Sequence, residues 1–397
     1  MREAFFKHIA QTSDTPMAIE VDHARGIYIY STNGTRYTDF ISGIAVSSLG
    51  HSHPNVVRAV QDQATKHMHV MVYGEFIQKP QSDLAQLLAS QLPAELRRIY
   101  FVNSGTEANE GALKLAKKFT GRTKMVAFKN SYHGDSHGSL SVTGRDIYRD
   151  PYKPLLPDVH FLEFNKYDNI SLIDDRTACV ILEPIQGEGG IIEADYDWLR
   201  TIRDHCKSVG ALLIFDEIQS GFGRTGQLFA FMHSDVKPDI ITMAKAMGGG
   251  MPIGAFASSD AIFDTFKYNP PLNHVTTFGG HPVSCAASFA ALQTILDQNL
   301  MKNALFIEDV IKKRLQLPQV LEIRGRGAML GLQLFSYQQT MEVVQKCMEK
   351  QIILGWTLHS NTLIRLAPPL IITEDELNET LDILVNVLQE VPTYKSS

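Results

Sequence analysis

The sequence predicts an α/β protein whose core is a mostly parallel sheet covered by helices. Three observations predict it. Between about residue 98 and residue 260, short β-rich runs alternate with longer helical patterns. Most of these runs are apolar throughout, as strands buried on both faces are. At their carboxyl ends the chain turns polar, which is where an open parallel sheet receives its ligand.

The candidate strands are Arg98–Val102, Met125–Phe128, Ala178–Leu182, Leu212–Phe215, Ile240–Met243 and Ile253–Ala257. After the first of them, Ala108, Ala112, Leu115, Ala116 and Phe119 mark the inward face of a helix, with Glu107, Glu110, Lys114, Lys117 and Lys118 largely on the other face. Past residue 285 the texture changes. An Ala-rich helical stretch, Cys285–Leu296, leads into Arg324–Leu334 and Thr362–Leu366, which read as strands. Thr373, with Glu376 three residues on and then Leu377, Leu381 and Leu384, announces a last helix that opens with a capping box. These shifts predict a large domain over residues 51–295 and a smaller α+β domain over 296–397, with residues 1–50 packing against the smaller one.

A chain of 397 residues can bury the core of one large or two modest domains. With 44% hydrophobic and 20% charged residues, it matches globular composition rather than disorder or a fibrous repeat. A net charge of −6 without a long Lys/Arg run disfavours nucleic acid as a partner. Cys179, Cys206, Cys285 and Cys347 lie far apart, without the paired spacing of a zinc or redox motif, and read as reduced thiols. Neither a signal-peptide core nor a run of eighteen apolar residues is present, so a cytoplasmic protein that does not span a membrane is expected.

Three strand ends carry chemistry. The first strand runs into Asn103-Ser104-Gly105-Thr106, where small residues at a helix N-terminus let backbone N–H groups reach an anion. Taken alone, this turn also reads as an ordinary N-cap. Another strand runs into Asp216-Glu217, two acids that are costly at the end of a buried strand unless a cation meets them. A protonated pyridine nitrogen would serve. A metal ion would too, but no further acid or His cluster stands at ligand spacing nearby. The strand Ile240–Met243 leads to Lys245, among small and apolar neighbours that lower a lysine's pKa and suit it to imine chemistry. A lysine snorkelling to water is the plainer reading of Lys245 alone. The combination favours function, because all three ends share one edge of one sheet. His51 and His53 alternate on a turn without an acidic or Cys partner in the sequence and read as structural, so no metal site is expected.

Several segments, in order, resemble the class III pyridoxal-phosphate-dependent aminotransferases, above all the acetylornithine and ornithine aminotransferase branch. They are NSGTEANEGALKLAKK (103–118), NSYHG (130–134), EPIQGEGG (183–190), FDEIQSGFGRTG (215–226), AKAMGGGMPIGA (244–255), TTFGGHP (276–282) and IRLAPPL (364–370). The resemblance implies the aspartate-aminotransferase-like fold, fold type I, as a homodimer with its active sites at the subunit interface. It implies pyridoxal 5'-phosphate as cofactor, with Lys245 as the imine lysine and Asp216 as the partner of the pyridine nitrogen. Tyr132 would stack on the ring, Ile218 would pack against its other side and Gln219 would approach the ring hydroxyl. Ser104, Gly105 and Thr106 would hold the phosphate, helped by Thr277 of the other subunit. His133 and Glu183 fall in the same cofactor-binding motifs.

For substrate, the resemblance makes Arg365 the carboxylate-binding arginine and Glu188 the glutamate that pairs with it when a donor without a carboxylate at that end is bound. The plainer alternative is a surface ion pair of little worth. Ile44 stands where ornithine-type members carry a tyrosine, and GIAVSSLGH (43–51) resembles the acetylornithine branch, which disfavours free ornithine. Asp135 departs from that branch, which has an arginine directly after the Tyr/Phe-His-Gly tripeptide; Arg145 or Arg149 could supply the charge instead. Tyr73, Gly74 and Phe76 are candidates for a pocket loop. The expected reaction is a ping-pong transamination from an ω-amino donor, acetylornithine-like, to a 2-oxo acid such as 2-oxoglutarate. The rival readings are a decarboxylase or aminomutase on the same fold, or another ω-amine or diamine transaminase. A cofactor-binding sensor or scaffold without turnover is the non-enzymatic rival.

Overall fold

The buried β-rich runs find their neighbours in one seven-stranded sheet, in the order Arg98–Val102, Gly254–Ser258, Ile240–Met243, Leu212–Asp216, Thr177–Leu182, Lys124–Phe128 and Val159–Leu162. The computed structural model describes residues 1–357 and 359–394, apart from the side chain of Trp356. All six expected strands are present, with ends shifted by a residue or less. Val159–Leu162 is an addition. It lies at the sheet edge, has a histidine within its apolar run and buries only Leu162 fully, so it lacks the pattern of a central strand.

The sheet is parallel except for Gly254–Ser258, which runs antiparallel to both neighbours. Its connection from Ile240–Met243 spans only residues 244–253 and carries one short 3-10 turn, Lys245–Gly248. A parallel crossover needs a dozen or more residues and usually a helix. The short link therefore forces a reversal, and Lys245 sits in it.

Helix Gly105–Thr120 covers this sheet with Ala108, Ala112, Leu115 and Ala116 buried as expected. Phe119, expected on that face, is 42% exposed. It lies in the last turn, next to Gly121, whose φ of 68° ends the helix.

Strands Val21–Arg25, Tyr28–Ser31 and Arg36–Asp39 form a second sheet, completed by Ile352–Ile353 from the far end of the chain. A third, antiparallel sheet has the order Glu322–Arg326, Met329–Gln333, Ser360–Leu366 and Gly355–Thr357. The stretch 324–334, read above as one strand, is thus a hairpin that turns at Gly327, with φ 60°. The last helix, Glu374–Glu390, opens with the expected capping box between Thr373 and Glu376 and buries Leu377, Leu381 and Leu384 completely.

Helix Gly105–Thr120 lies so close to the sheet that a Cβ on Gly111 would stand 2.4 Å from Cε1 of Phe256. Gly111→Ala is expected to cost about 1–3 kcal/mol through overpacking and to lower the thermal midpoint of the purified protein. An unchanged midpoint would mean that Phe256 gives way freely.

Candidate active site

Ser104 and Lys245, each just past a strand, and Asp216, the last residue of one, line one cavity of about 500 Å³. Gly105, Thr106, Tyr132, His133, Asp135, Glu183, Ile218 and Gln219 line it as well. A second cavity of about 480 Å³ is walled by Met17, Ile41, Gly43, Ile44, Glu188 and Arg365. Val46, Tyr132 and Lys245 line both, so the two are neighbours that share these three side chains.

Ser104 caps helix Gly105–Thr120 by accepting from the Glu107 N–H at 3.2 Å. A Cβ on Gly105 would stand 2.8 Å from Cδ1 of Ile218, so a side chain there would force Ile218 to shift. The Asp216 carboxylate, 4% exposed, lines the same cavity. Its Oδ2 accepts from Asn109 Nδ2 and lies 2.8 Å from His133 Nδ1, also the length of the Asn109 bond, while Oδ1 accepts from the Ile218 N–H at 3.0 Å. Glu217 turns away from the cavity. It accepts from the Ser220 hydroxyl and from the N–H groups of Ala230 and Phe231, which meet its charge with neutral donors rather than a cation.

Asn109 escaped the sequence reading. Its amide also donates to the His133 carbonyl at 2.7 Å, so it ties helix, loop and strand end together. The signal was a polar residue on an apolar helical stripe, at i relative to Ala112, Leu113 and Ala116.

Lys245 adopts φ 49°, a left-handed conformation that costs a side-chain-bearing residue about 1–3 kcal/mol. Burial lowers its pKa below the ordinary lysine value, against the opposing pull of Glu188 and Asp216. Burial and then the hydrogen bond to Asp135 keep the Tyr132 hydroxyl protonated far above its usual range. Glu183, pushed up to about 7 by burial, accepts from the backbone N–H groups of Tyr132 at 3.1 Å and Gly187 at 3.0 Å.

In the second cavity the buried Arg365 Nη2 lies 2.8 and 2.9 Å from the two oxygens of Glu188, which is also buried. This pair is not the surface contact offered as its plainer reading. Gln219 Nε2 approaches the same carboxylate at 3.3 Å. Ile44 sits in a left-handed turn in which Ser42, Gly43, Ile44 and Ala45 have φ of 49°, 55°, 67° and 58°. The Asp39 carboxylate holds that turn through the Ile41 and Gly43 N–H groups.

Asp135 lines the first cavity and accepts from the Tyr132 hydroxyl at 2.8 Å. Neither Arg145 nor Arg149 lines either cavity. Arg145 donates to the His359 carbonyl, and Arg149 pairs with Asp146 and lies over the Phe161 ring. Tyr73, expected at the pocket, does not line either cavity, and neither do Gly74 and Phe76. Their stretch, 73–76, has no helix or strand to carry it inward. Thr277 is exposed and also outside both. His51 bonds Asp39 at 2.9 Å, and His53 caps helix Pro54–Lys66.

The family model for class III aminotransferases matches residues 9–388. Acetylornithine aminotransferase of Methanopyrus kandleri is 41% identical over 92% of this chain and 92% of its own length. The [LysW]-aminoadipate semialdehyde/glutamate semialdehyde transaminase of Sulfurisphaera tokodaii is 38% identical over 89% of this chain and 90% of its own. Among solved structures, ornithine aminotransferase of Toxoplasma gondii, with PLP at partial occupancy in its active site, superposes with a TM-score of 0.89 at 27% identity, covering 98% of this chain and 94% of that one. The chain therefore belongs to the class III aminotransferases. It is a transferase of fold type I that works with pyridoxal phosphate.

The cavity suits that group. A helix N-terminus for an anion, a buried carboxylate for a ring cation and a buried lysine all line it. His133 Nε2 and Gln219 Oε1 are buried without a hydrogen-bond partner among the described residues.

Asn109→Ala is expected to strip one donor from Asp216 and from the His133 carbonyl, at a cost of about 1–3 kcal/mol. The variant should lose pyridoxal phosphate faster than wild type on dialysis, read by absorbance. Equal retention would show that His133 and the Ile218 N–H hold Asp216 unaided.

Proposed function

We propose that the enzyme takes an amino group from an ω-amino donor of the acetylornithine type and passes it to a 2-oxo acid, 2-oxoglutarate, in a ping-pong cycle that uses one pocket for both substrates. The observation that carries this reading is the buried Arg365–Glu188 pair, which lines the same cavity as Lys245. A buried ion pair is a weak source of stability, and opening it is costly unless a new partner arrives. A substrate carboxylate is such a partner for the Arg365 fork. Gln219 would then remain to meet Glu188. With a donor that has no carboxylate at that end, the pair closes.

Pyridoxal phosphate, when bound, supplies a ring that draws electrons from the bond broken at the substrate carbon. In this reading Asp216 keeps the ring nitrogen protonated and His133 supports Asp216. Ser104, Gly105 and Thr106 take the phosphate at the helix N-terminus, with Thr277 of a second subunit completing the site. Tyr132 and Ile218 would hold the two faces of the ring and Gln219 its hydroxyl, while Glu183 fixes the Tyr132 backbone. The Lys245 amine, lowered in pKa by burial, anchors the cofactor and moves the proton at the substrate carbon. The working unit is a homodimer of cytoplasmic chains. Residues 51–295 form its cofactor domain, and 296–397 with 1–50 form the smaller one.

Two experiments test the reading. Borohydride treatment of the wild type should remove the visible absorbance band and label Lys245 alone, and Lys245→Ala should fold without the band; label on another lysine would sink the assignment.

The second concerns Asp135. A carboxylate about 4 Å from another is disfavoured by roughly 4 kcal/mol at an effective dielectric near 20. Donors with a neutral or cationic far end should therefore be preferred to N-acetylornithine. Asp135→Arg should raise kcat/KM for N-acetylornithine by about tenfold or more, with glutamate formed from 2-oxoglutarate as the readout. Efficient wild-type use of N-acetylornithine, together with an indifferent variant, would refute this role.

A further inference from the structure

Arg224 is completely buried, yet no carboxylate stands within ion-pair distance of it among the described residues. Burial lowers its pKa to about 10, which leaves it charged at neutral pH. Its partners are neutral and come from three separate segments. Nη1 donates to the carbonyls of Pro368 and of Ala328, the latter at 3.3 Å, and Nη2 donates to the Ser48 hydroxyl at 2.7 Å. Its own carbonyl accepts from the Ala328 N–H at 2.8 Å.

These contacts converge on one place. Strands Met329–Gln333 and Ser360–Leu366 pair in the register Gly331 to Arg365 and Leu330 to Leu366. Ala328 and Pro368 lie two residues past the end of that ladder, one on each strand's continuation, so Arg224 bridges the two chains just beyond Arg365. Ser48 belongs to the stretch whose residues Ile41, Gly43, Ile44 and Val46 wall the second cavity. The same stretch is fastened to the chain past Arg365 through Ala367 N–H to the Phe40 carbonyl and Leu370 N–H to the Ser48 carbonyl. A buried unpaired cation is costly, and an apolar residue would pack there at less cost. The planar fork alone reaches two carbonyls and a hydroxyl together.

We propose that Arg224 is a positioning residue for the substrate pocket, fixing where Arg365 presents its guanidinium by locking the ends of its strand pair and the N-terminal stretch to the loop that follows Gln219. The proposal rests on the reading of Arg365 as a carboxylate site.

The test uses the holoenzyme with one donor and two acceptors, 2-oxoglutarate and 4-oxobutanoate, which differ in the carboxylate beside the oxo carbon, the end at which Arg365 is read to bind. The readout is the ratio of their kcat/KM values. Arg365→Met should collapse this ratio. Arg224→Met should lower it about tenfold, through KM for 2-oxoglutarate, while kcat with 4-oxobutanoate stays within about threefold. Arg224→Lys should fall between, and Ser48→Ala, which removes one contact only, should lower the ratio by about twofold. If Arg224→Met does not fold, Ser48→Ala and Arg224→Lys decide. A ratio unchanged in them, with Arg365→Met sensitive, overturns the positioning role alone. A ratio unchanged in Arg365→Met overturns the carboxylate reading and this proposal with it.

Discussion

A carboxylate buried at the end of an apolar strand is the constraint around which the cofactor side of this enzyme is organised. Leaving Asp216 unmet would cost several kcal/mol, so donors must be delivered to it from elsewhere in the chain. Asn109 comes from the inward face of helix Gly105–Thr120, His133 from the loop after Lys124–Phe128, and the Ile218 N–H from the turn itself. That loop is tied to the same helix a second time. Glu110 accepts from the Ser136 hydroxyl and from the Gly138 and Ser139 N–H groups, and Ser139 donates to the Thr106 carbonyl. Helix N-terminus, loop and acid therefore cannot move independently. The distance between anion site and acid is set by one shared network.

Lys245 is held by a different device. Its strand must reverse because residues 244–253 cannot make a crossover, and the reversal places the lysine at φ 49° within a 3-10 turn. Strain of this kind persists only where the surroundings over-determine it. Ala246 and Met247, which follow Lys245 within the turn and are buried in the main core, supply that constraint. A second strained turn, Ser42–Ala45, contributes Gly43 and Ile44 to the second cavity, which Lys245 also lines, and is pinned by Asp39. Strain at two places in the lining of one cavity fits a site whose geometry matters more than its stability.

Much of this was legible in the sequence, for identifiable reasons. Strands buried on both faces leave continuous apolar runs, and six of the seven in the main sheet were read from them. The edge strand Val159–Leu162 was not, because it buries little. Ser104, Asp216 and Lys245 stood out because small, acidic and basic residues directly after such runs break the pattern. Asn109 sits within a helical stripe, where one polar letter among alanines carries a weak signal. Tyr73, a candidate by its neighbourhood alone, lines neither cavity of this chain. The left-handed turn at Ile44 and the partners of Arg224 have no sequence signature. They depend on segments more than a hundred residues apart, as Arg224 does on Ser48 and Pro368.

The substrate side poses an electrostatic problem that the fold answers with an imbalance. Four carboxylates and one guanidinium, Arg365, line the two cavities; Asp216 and Glu183 belong to the cofactor side, which leaves Asp135 and Glu188 beside Arg365. Arg365 neutralises Glu188 when they are paired, which leaves Asp135 as the unneutralised charge, shared only with the Tyr132 hydroxyl. In the proposed reading, a donor with a cationic or neutral far end would complete this arrangement. A dicarboxylic 2-oxo acid would do so only by taking Arg365 from Glu188 and keeping its other end away from Asp135. The two substrates would then be told apart by which of the two carboxylates each leaves unpaired, and Tyr132, hydrogen-bonded to Asp135 and lining both cavities, would be the side chain through which that choice reaches the cofactor site.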